Sequence, residues 1–208
     1  MNKLDILFKN AHIKSKIQKK LPELFQLAEY ENSRNGKLGM EIGSVRERII
    51  IALLLYQFGR ENVLTDIPIK ESEIDVIVFK KPISIKTLTS KKISTIKLIW
   101  TVDQQKATEF IDSYQAYNDM LFIHINWSGK GGFYLIPKEV QNSVLKQYGK
   151  DFYFILPKTG TNSRGIGITS QAMNKIVSHT WTQKIEIAWA RNISLSHNVY
   201  DRWIDLWR

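Results

Sequence analysis

The stretch SEIDVIVFKKPISIKT, residues 72–87, constrains this chain more than any other. Ile74, Val76 and Val78 alternate with Asp75, Ile77 and Phe79, and Ile83, Ile85 and Thr87 alternate with Ser84, Lys86 and Leu88. Such alternation marks β-strands, whose successive side chains point to opposite faces. Lys80-Lys81-Pro82 reads as a tight turn, so the segment predicts two antiparallel strands, about 73–79 and 82–89. That pairing would set Asp75 and Lys86 nearly opposite each other. An unpaired carboxylate or ammonium in a sheet is costly, so the two are expected to share a site at the sheet edge.

The surrounding pattern predicts an α/β fold, a single domain over 1–208 with a mixed central β-sheet flanked by helices. Residues 3–31 carry apolar side chains at helical spacing, with Pro22 opening or kinking the second part. Residues 32–44 read as a Gly/Asn/Ser loop, and Ser44-x-x-Glu47 as a capping box for a helix ending at Gly59. Strands are predicted at 63–69, 94–101, 120–127, 131–137 and 151–157, helices at 103–118 and 138–148, and a polar loop at 158–171. The end of the chain mixes both signals around Trp181, Trp189, Trp203 and Trp207.

Composition narrows the function. Hydrophobic content of 43% suits a globular protein, and the absence of cysteine excludes disulfides and thiolate metal sites. The longest apolar run, Ile49–Tyr56, is too short to span a membrane, and the N-terminus lacks a signal-peptide pattern, so a cytoplasmic protein is expected. Thirty Lys and Arg against twenty Asp and Glu give a charge of +10. That favours a polyanionic partner, most often nucleic acid. A carboxylate beside a lysine in a basic chain suits metal-dependent phosphodiester hydrolysis. The carboxylate holds a divalent cation, and the lysine orients a water or stabilises charge on the phosphate.

Glu73-Ile-Asp75 followed by Ser84-Ile-Lys86 resembles the PD-(D/E)xK nuclease motif. GSVRERIIIALL resembles the helix that supplies a further glutamate in many members, here Glu47, and IKLIWTVDQQKATEF occupies the place of the helix after the core strands. From Gly36 to Phe133 the order of elements is similar to that of small type II restriction endonucleases, among them the ThaI type, which cuts at CGCG. The resemblance implies catalysis by Asp75, Lys86, Glu47 and Ser84, with Mg²⁺ held by Asp75 and by Glu47 or Glu73. Ser84 stands where the family has an acid. Several Ser-x-Lys enzymes restore that carboxylate from another segment. Glu47 is the preferred source here, and it doubles as a capping acid; Glu73 is the alternative, on the strand face of Asp75.

Two segments suit DNA. In 34–43, Arg34 and Lys37 would meet phosphates, and Met40 either wedges between base pairs or folds under the loop. In 158–171, Arg164 would bond a guanine, with Asn162, Ser163 and Gln171 nearby; the alternative is an ordinary surface loop. Lys91, with Lys92 and Lys97, reads as a phosphate neighbour. Of the scattered histidines, His124 reads as a sheet residue with its polar atoms satisfied. The expected whole is a restriction endonuclease on double-stranded DNA, a homodimer on a short palindrome, or else a monomer cutting sequentially. It divides into N-terminal helices and contact loop (1–43), catalytic core (44–127), and recognition and C-terminal part (128–208). A repair or junction-resolving nuclease of the same core and a non-catalytic DNA-binding module are the alternatives.

Overall fold

In the computed structural model, the central hairpin turns at Phe79-Lys80, not at Lys80-Lys81-Pro82. Both residues have positive φ, 50° and 65°. A two-residue loop with both residues left-handed matches the right-handed twist of the strands. The strain at Phe79 is offset by its N–H bond to the Asn62 carbonyl (2.8 Å) and by edge-on packing against Phe58 (5.2 Å between centroids). Pro82 is thereby moved into a strand, opposite Ile77. Pairing on the other side of that strand begins only at Ile83, so the missing N–H costs no ladder bond.

The structure describes all residues except 1–2, 35–36, 40, 69–72, 100–102, 157–164, 196–197, 199 and 208, and the side chains of 34, 37–38, 104 and 201–203. The chain opens with α1 (Asp5–Lys9) and α2 (Ala11–Glu31). The break lies at Asn10, whose side chain accepts from the N–H groups of His12 and Ile13, and Pro22 sits inside α2 rather than starting a helix. A short pair, β1 (Ser33–Arg34) and β2 (Lys37–Leu38), precedes α3 (Ile42–Phe58). Then come β3 (Val63–Leu64), β4 (Val76–Val78), β5 (Lys81–Thr89), β6 (Ile96–Ile99), α4 (Gln104–Ser113), β7 (Asp119–Ile125) and β8 (Gly129–Ile136). The rest is α5 (Lys138–Tyr148), α6 (Lys150–Tyr153), β9 (Phe154–Ile155), β10 (Ile166–Ile168), α7 (Ser170–Val177), β11 (Gln183–Trp189) and α8 (Asp201–Leu206).

Six strands form the main sheet in the order β11-β8-β7-β5-β4-β3. Among the described residues only β5 and β7 pair in parallel, and the β6–α4 segment supplies the crossover that parallel pairing requires. Helices α1–α3 cover one face through Leu7, Phe25, Ile50 and Leu54, against Ile83, Ile85, Leu121 and Ile123. The other face, with Met120 and Phe122, packs on α4, α5, α7 and a small sheet of order β6-β10-β9. This is the expected single α/β domain with a mixed sheet flanked by helices. The 128–208 part supplies β8 and β11 to the same sheet as the hairpin.

Several expected elements shift. Residues 150–153 form a helical turn where a strand over 151–157 is expected, and α4 ends at Ser113 rather than 118. The expected 158–171 loop contains β10 and the start of α7. Its Gly167 hid the strand, and it is needed there: a Cβ would lie 2.8 Å from the Ile96 carbonyl of the paired strand. The capping box of Ser44 and Glu47 is not made. Helix α3 starts at Ile42 with Glu41 at its N-cap and no side-chain cap bond, so Ser44 lies inside the first turn and Glu47 in the second.

Candidate active site

β4 parts from β5 at Asp75. The last ladder pair is Val76–Ile83; beyond it the Asp75 N–H donates to the Ile83 carbonyl, while Asp75 Oδ2 accepts from the Ile85 N–H (2.5 Å). The carboxylate thus terminates the ladder in place of backbone. Asp75 is therefore not opposite Lys86 in the register, as the turn at 80–82 had implied. The side chains nevertheless converge. Ser84 Oγ lies 3.4 Å and Lys86 Nζ 3.8 Å from Asp75 Oδ2, with Lys86 20% and Asp75 16% exposed. Ser84 and Lys86 share one face of β5, while Ile83 and Ile85 face the helix-side core.

Two further carboxylates bear on this pair. Glu47, on α3, is half-buried, and its carboxyl is pushed up by burial first and then by the charge of Asp75; Lys86 and Arg48 pull it down. Glu73 lies in the turn before β4, not on the strand as expected. Its carboxyl is also pushed up by burial and drawn down by Lys86. The Glu73 carbonyl accepts from Asn118 Nδ2 (3.1 Å), and the Asn118 carbonyl from Gln141 Nε2 (3.0 Å). No sequence motif signals those two supports, because they come from distant elements. Glu73, Ser84, Lys86 and Tyr114 line a cavity of about 20 Å³, room for one water.

Glu47, Asp75 and Glu73 against Lys86 and the exposed Arg48 leave this corner short of positive charge in a chain of net +10. Among the described residues no group of three His, Asp or Glu is set to hold a metal ion. An all-oxygen pair still suits Mg²⁺, which usually takes one or two carboxylates and completes its shell with waters and substrate phosphates.

The expected DNA contacts are spread. Lys91 is exposed in the bend just beyond β5. Gln171 is exposed, but it sits in the first turn of α7 rather than in a loop. Met40, Asn162, Ser163 and Arg164 lie outside the described residues, as do the side chains of Arg34 and Lys37. His124 is buried, with its ring Nε2 3.0 Å from the Ser90 carbonyl, satisfied as expected. No helix among the described residues is long and apolar enough to cross a membrane.

No curated protein matches the chain. A solved structure described as a restriction endonuclease in complex with substrate DNA is 50% identical, superposes with a TM-score of 0.92 and covers 98% of each chain. The family model for restriction endonuclease ThaI matches residues 7–208, well beyond the 36–133 span that carries the motif likeness. With a hairpin that brings Asp75, Ser84 and Lys86 together and a family match over nearly the whole length, this chain belongs to the ThaI restriction endonuclease family.

Proposed function

We propose that this restriction endonuclease hydrolyses double-stranded DNA in an Mg²⁺-dependent reaction at a short palindromic, CG-rich site, acting in the cytoplasm as a homodimer. The observation that carries the metal dependence is the local charge: three carboxylates gather around Lys86, with only the exposed Arg48 added on the side of Glu47. Such a corner repels a phosphate until a dication cancels its excess negative charge. Asp75 and Glu47 would hold that cation, because after burial the Asp75 carboxylate is what raises the Glu47 carboxyl most. When bound, the cation polarises the phosphate and lowers the pKa of a bound water.

The protein's own groups do the rest. The Ile85 N–H and Ser84 Oγ fix Asp75 through Oδ2, which leaves Oδ1 to face a cation. Ser84 thus acts as a support rather than as the missing acid. Lys86 orients the attacking water and stabilises charge developing on the phosphate. Glu73, on the cavity side, orients the Lys86 ammonium. Residues 44–127 form the catalytic part. The 34–43 segment (Arg34, Lys37, Met40) and the 158–171 segment (Asn162, Ser163, Arg164, Gln171) would supply DNA contacts, and Lys91 would meet a phosphate. The likeness to the ThaI type supports the CG-rich target, and the symmetry of cutting two strands supports the dimer.

Cleavage of duplexes carrying each CG-containing tetranucleotide palindrome, with Mg²⁺ or EDTA, tests the reading. Cutting of one palindrome with Mg²⁺ alone is expected. Binding without cutting under every condition would make this a non-catalytic module, and cutting of branched DNA alone would make it a junction-resolving enzyme. Sedimentation with an uncleavable target duplex should show two protein chains per duplex.

A further inference from the structure

Helix α3 is apolar on most of its surface. The row Val45, Ile49, Leu53 is wholly aliphatic, and Ile51 and Leu55 follow Glu47 on another. Yet the row buried deepest is Arg46, Ile50, Leu54. Turning the helix by one residue, about 100°, would bury the all-aliphatic row instead. Hydrophobicity alone therefore leaves the orientation of α3 nearly undetermined, and something must offset the burial of an arginine. That something is Glu29 on α2. Arg46 is 5% and Glu29 3% exposed; Arg46 Nη2 donates to Glu29 Oε1, which also accepts from Trp127 Nε1 (2.8 Å), and Arg191 Nη2 donates to Oε2 (2.5 Å).

The same guanidinium reaches the catalytic strand. Arg46 Nη1 donates to Thr89 Oγ1 (2.9 Å), at the end of β5 and three residues beyond Lys86. Arg46 also directly precedes Glu47 on the helix. One planar group therefore ties the helix carrying Glu47 to the strand carrying Lys86. Stability is a poor reason for this pair: buried ion pairs are often no better than apolar residues of equal volume, and here the Arg46 Nε–H lacks a hydrogen-bond partner.

We infer that the buried Glu29–Arg46 pair is the rotational key of α3, selecting the orientation in which Glu47 faces Asp75 and Lys86, so that Arg46 is a positioning residue for cleavage. This rests on the metal-holding role proposed for Glu47. The test uses the full chain as Glu29→Met/Arg46→Leu, as Arg46→Lys and as Glu47→Gln. Three quantities are read: the melting temperature, kcat and KM on target DNA, and Mn²⁺ affinity by electron paramagnetic resonance in complex with a phosphorothioate duplex. The double variant, which also releases Arg191 and Trp127 Nε1, should melt somewhat below wild type but keep its KM, while Mn²⁺ affinity and kcat fall by about 10–100-fold, as for loss of a residue that orients a ligand. Arg46→Lys, which keeps the charge and loses the planar fork, should fall between. Unchanged Mn²⁺ affinity in the double variant overturns the inference, even if the protein is less stable. If the double variant does not fold, unchanged Mn²⁺ affinity in Arg46→Lys overturns it. Full activity in Glu47→Gln removes the role of Glu47 and the inference with it. An inactive Glu47→Gln beside a fully active double variant removes the inference alone.

Discussion

Arg46 and Glu47 are adjacent on α3 and belong to opposite kinds of charge cluster. Around Arg46, the Glu29 carboxylate is met by two guanidiniums and an indole N–H, and the central pair is 3–5% exposed. Around Glu47, three carboxylates face Lys86 and the exposed Arg48, Asp75 and Lys86 are 16–20% exposed, and their closest approach is a loose 3.8 Å. The first cluster is closed: its hydrogen bonds hold helix, strand and C-terminal segment together. The second is open and short of positive charge, so it is completed from outside. Structural and catalytic ion pairs are separated here by burial and by the sign of the local charge, not by residue type.

That contrast is most directly broken at Asp75. Asp75→Asn should abolish Mg²⁺-dependent cleavage while leaving the melting temperature equal or higher, because a repelling charge is removed, and leaving DNA retention in Ca²⁺ intact. Wild-type cleavage in this variant would end the catalytic assignment. The closed cluster should behave in the reverse way. Arg46→Met alone leaves Glu29 with Arg191 and Trp127 Nε1, so by urea unfolding it should cost less than the roughly 3–5 kcal/mol of a fully stranded buried charge; a loss under about 1 kcal/mol would mean the pair is not desolvated in solution.

Within the open cluster, the two glutamates should separate. Glu47→Gln should slow cleavage by about a hundredfold, in the range for loss of a ligand or its support. Glu73→Gln should have the smaller effect. The opposite ranking would move the metal-holding role to Glu73.

Recognition lies outside both clusters. Arg164→Ala should lose about 1–3 kcal/mol of discrimination at one base pair, whereas Lys91→Ala should weaken binding to all sequences and lower the salt dependence by about one ion. A binding series over single-base variants at two salt concentrations sorts them; a uniform loss for Arg164→Ala would place that side chain on a phosphate.

The smallest effect is expected at His124, a satisfied group like those of the closed cluster. Burial holds its pKa below the ordinary 6.5, with Lys184 adding to this. The unfolded chain therefore takes up the proton first. Stability from this group is complete above about pH 6.5 and declines as the pH falls through the native value. Urea midpoints at pH 7.5 and 5.5 should show a shallower decline in His124→Gln than in wild type; equal declines would remove the assignment.

Much of this was legible in the chain. Alternation at 74–88 shows the hairpin, the apolar run Met120–Ile125 shows a strand buried on both faces, and Asp75, Ser84 and Lys86 stand out because a polar residue in a buried strand needs a reason. Less legible were elements held by distant partners. The 150–153 turn and β10 defeat local patterns, since Gly167 reads as loop until the Ile96 carbonyl is placed beside it. Ser44-x-x-Glu47 has the spacing of a capping box, but three more residues join the helix upstream.

Residue types and spacing by themselves determined the α/β class, the strand–turn–strand carrying an acid and a lysine, and the basic balance that suits DNA. Each of these is local or compositional and survives without tertiary contacts. Tertiary structure alone decided that Asp75 closes the ladder with its own carboxylate, that Glu73 sits in a turn beside the cavity, and that α3 buries the row of Arg46 rather than its all-aliphatic neighbour. The orientation of a helix that is apolar on several faces is nearly degenerate in its own sequence. It becomes unique only when Glu29, seventeen residues before Arg46 on another helix, supplies the charge that makes burying Arg46 favourable.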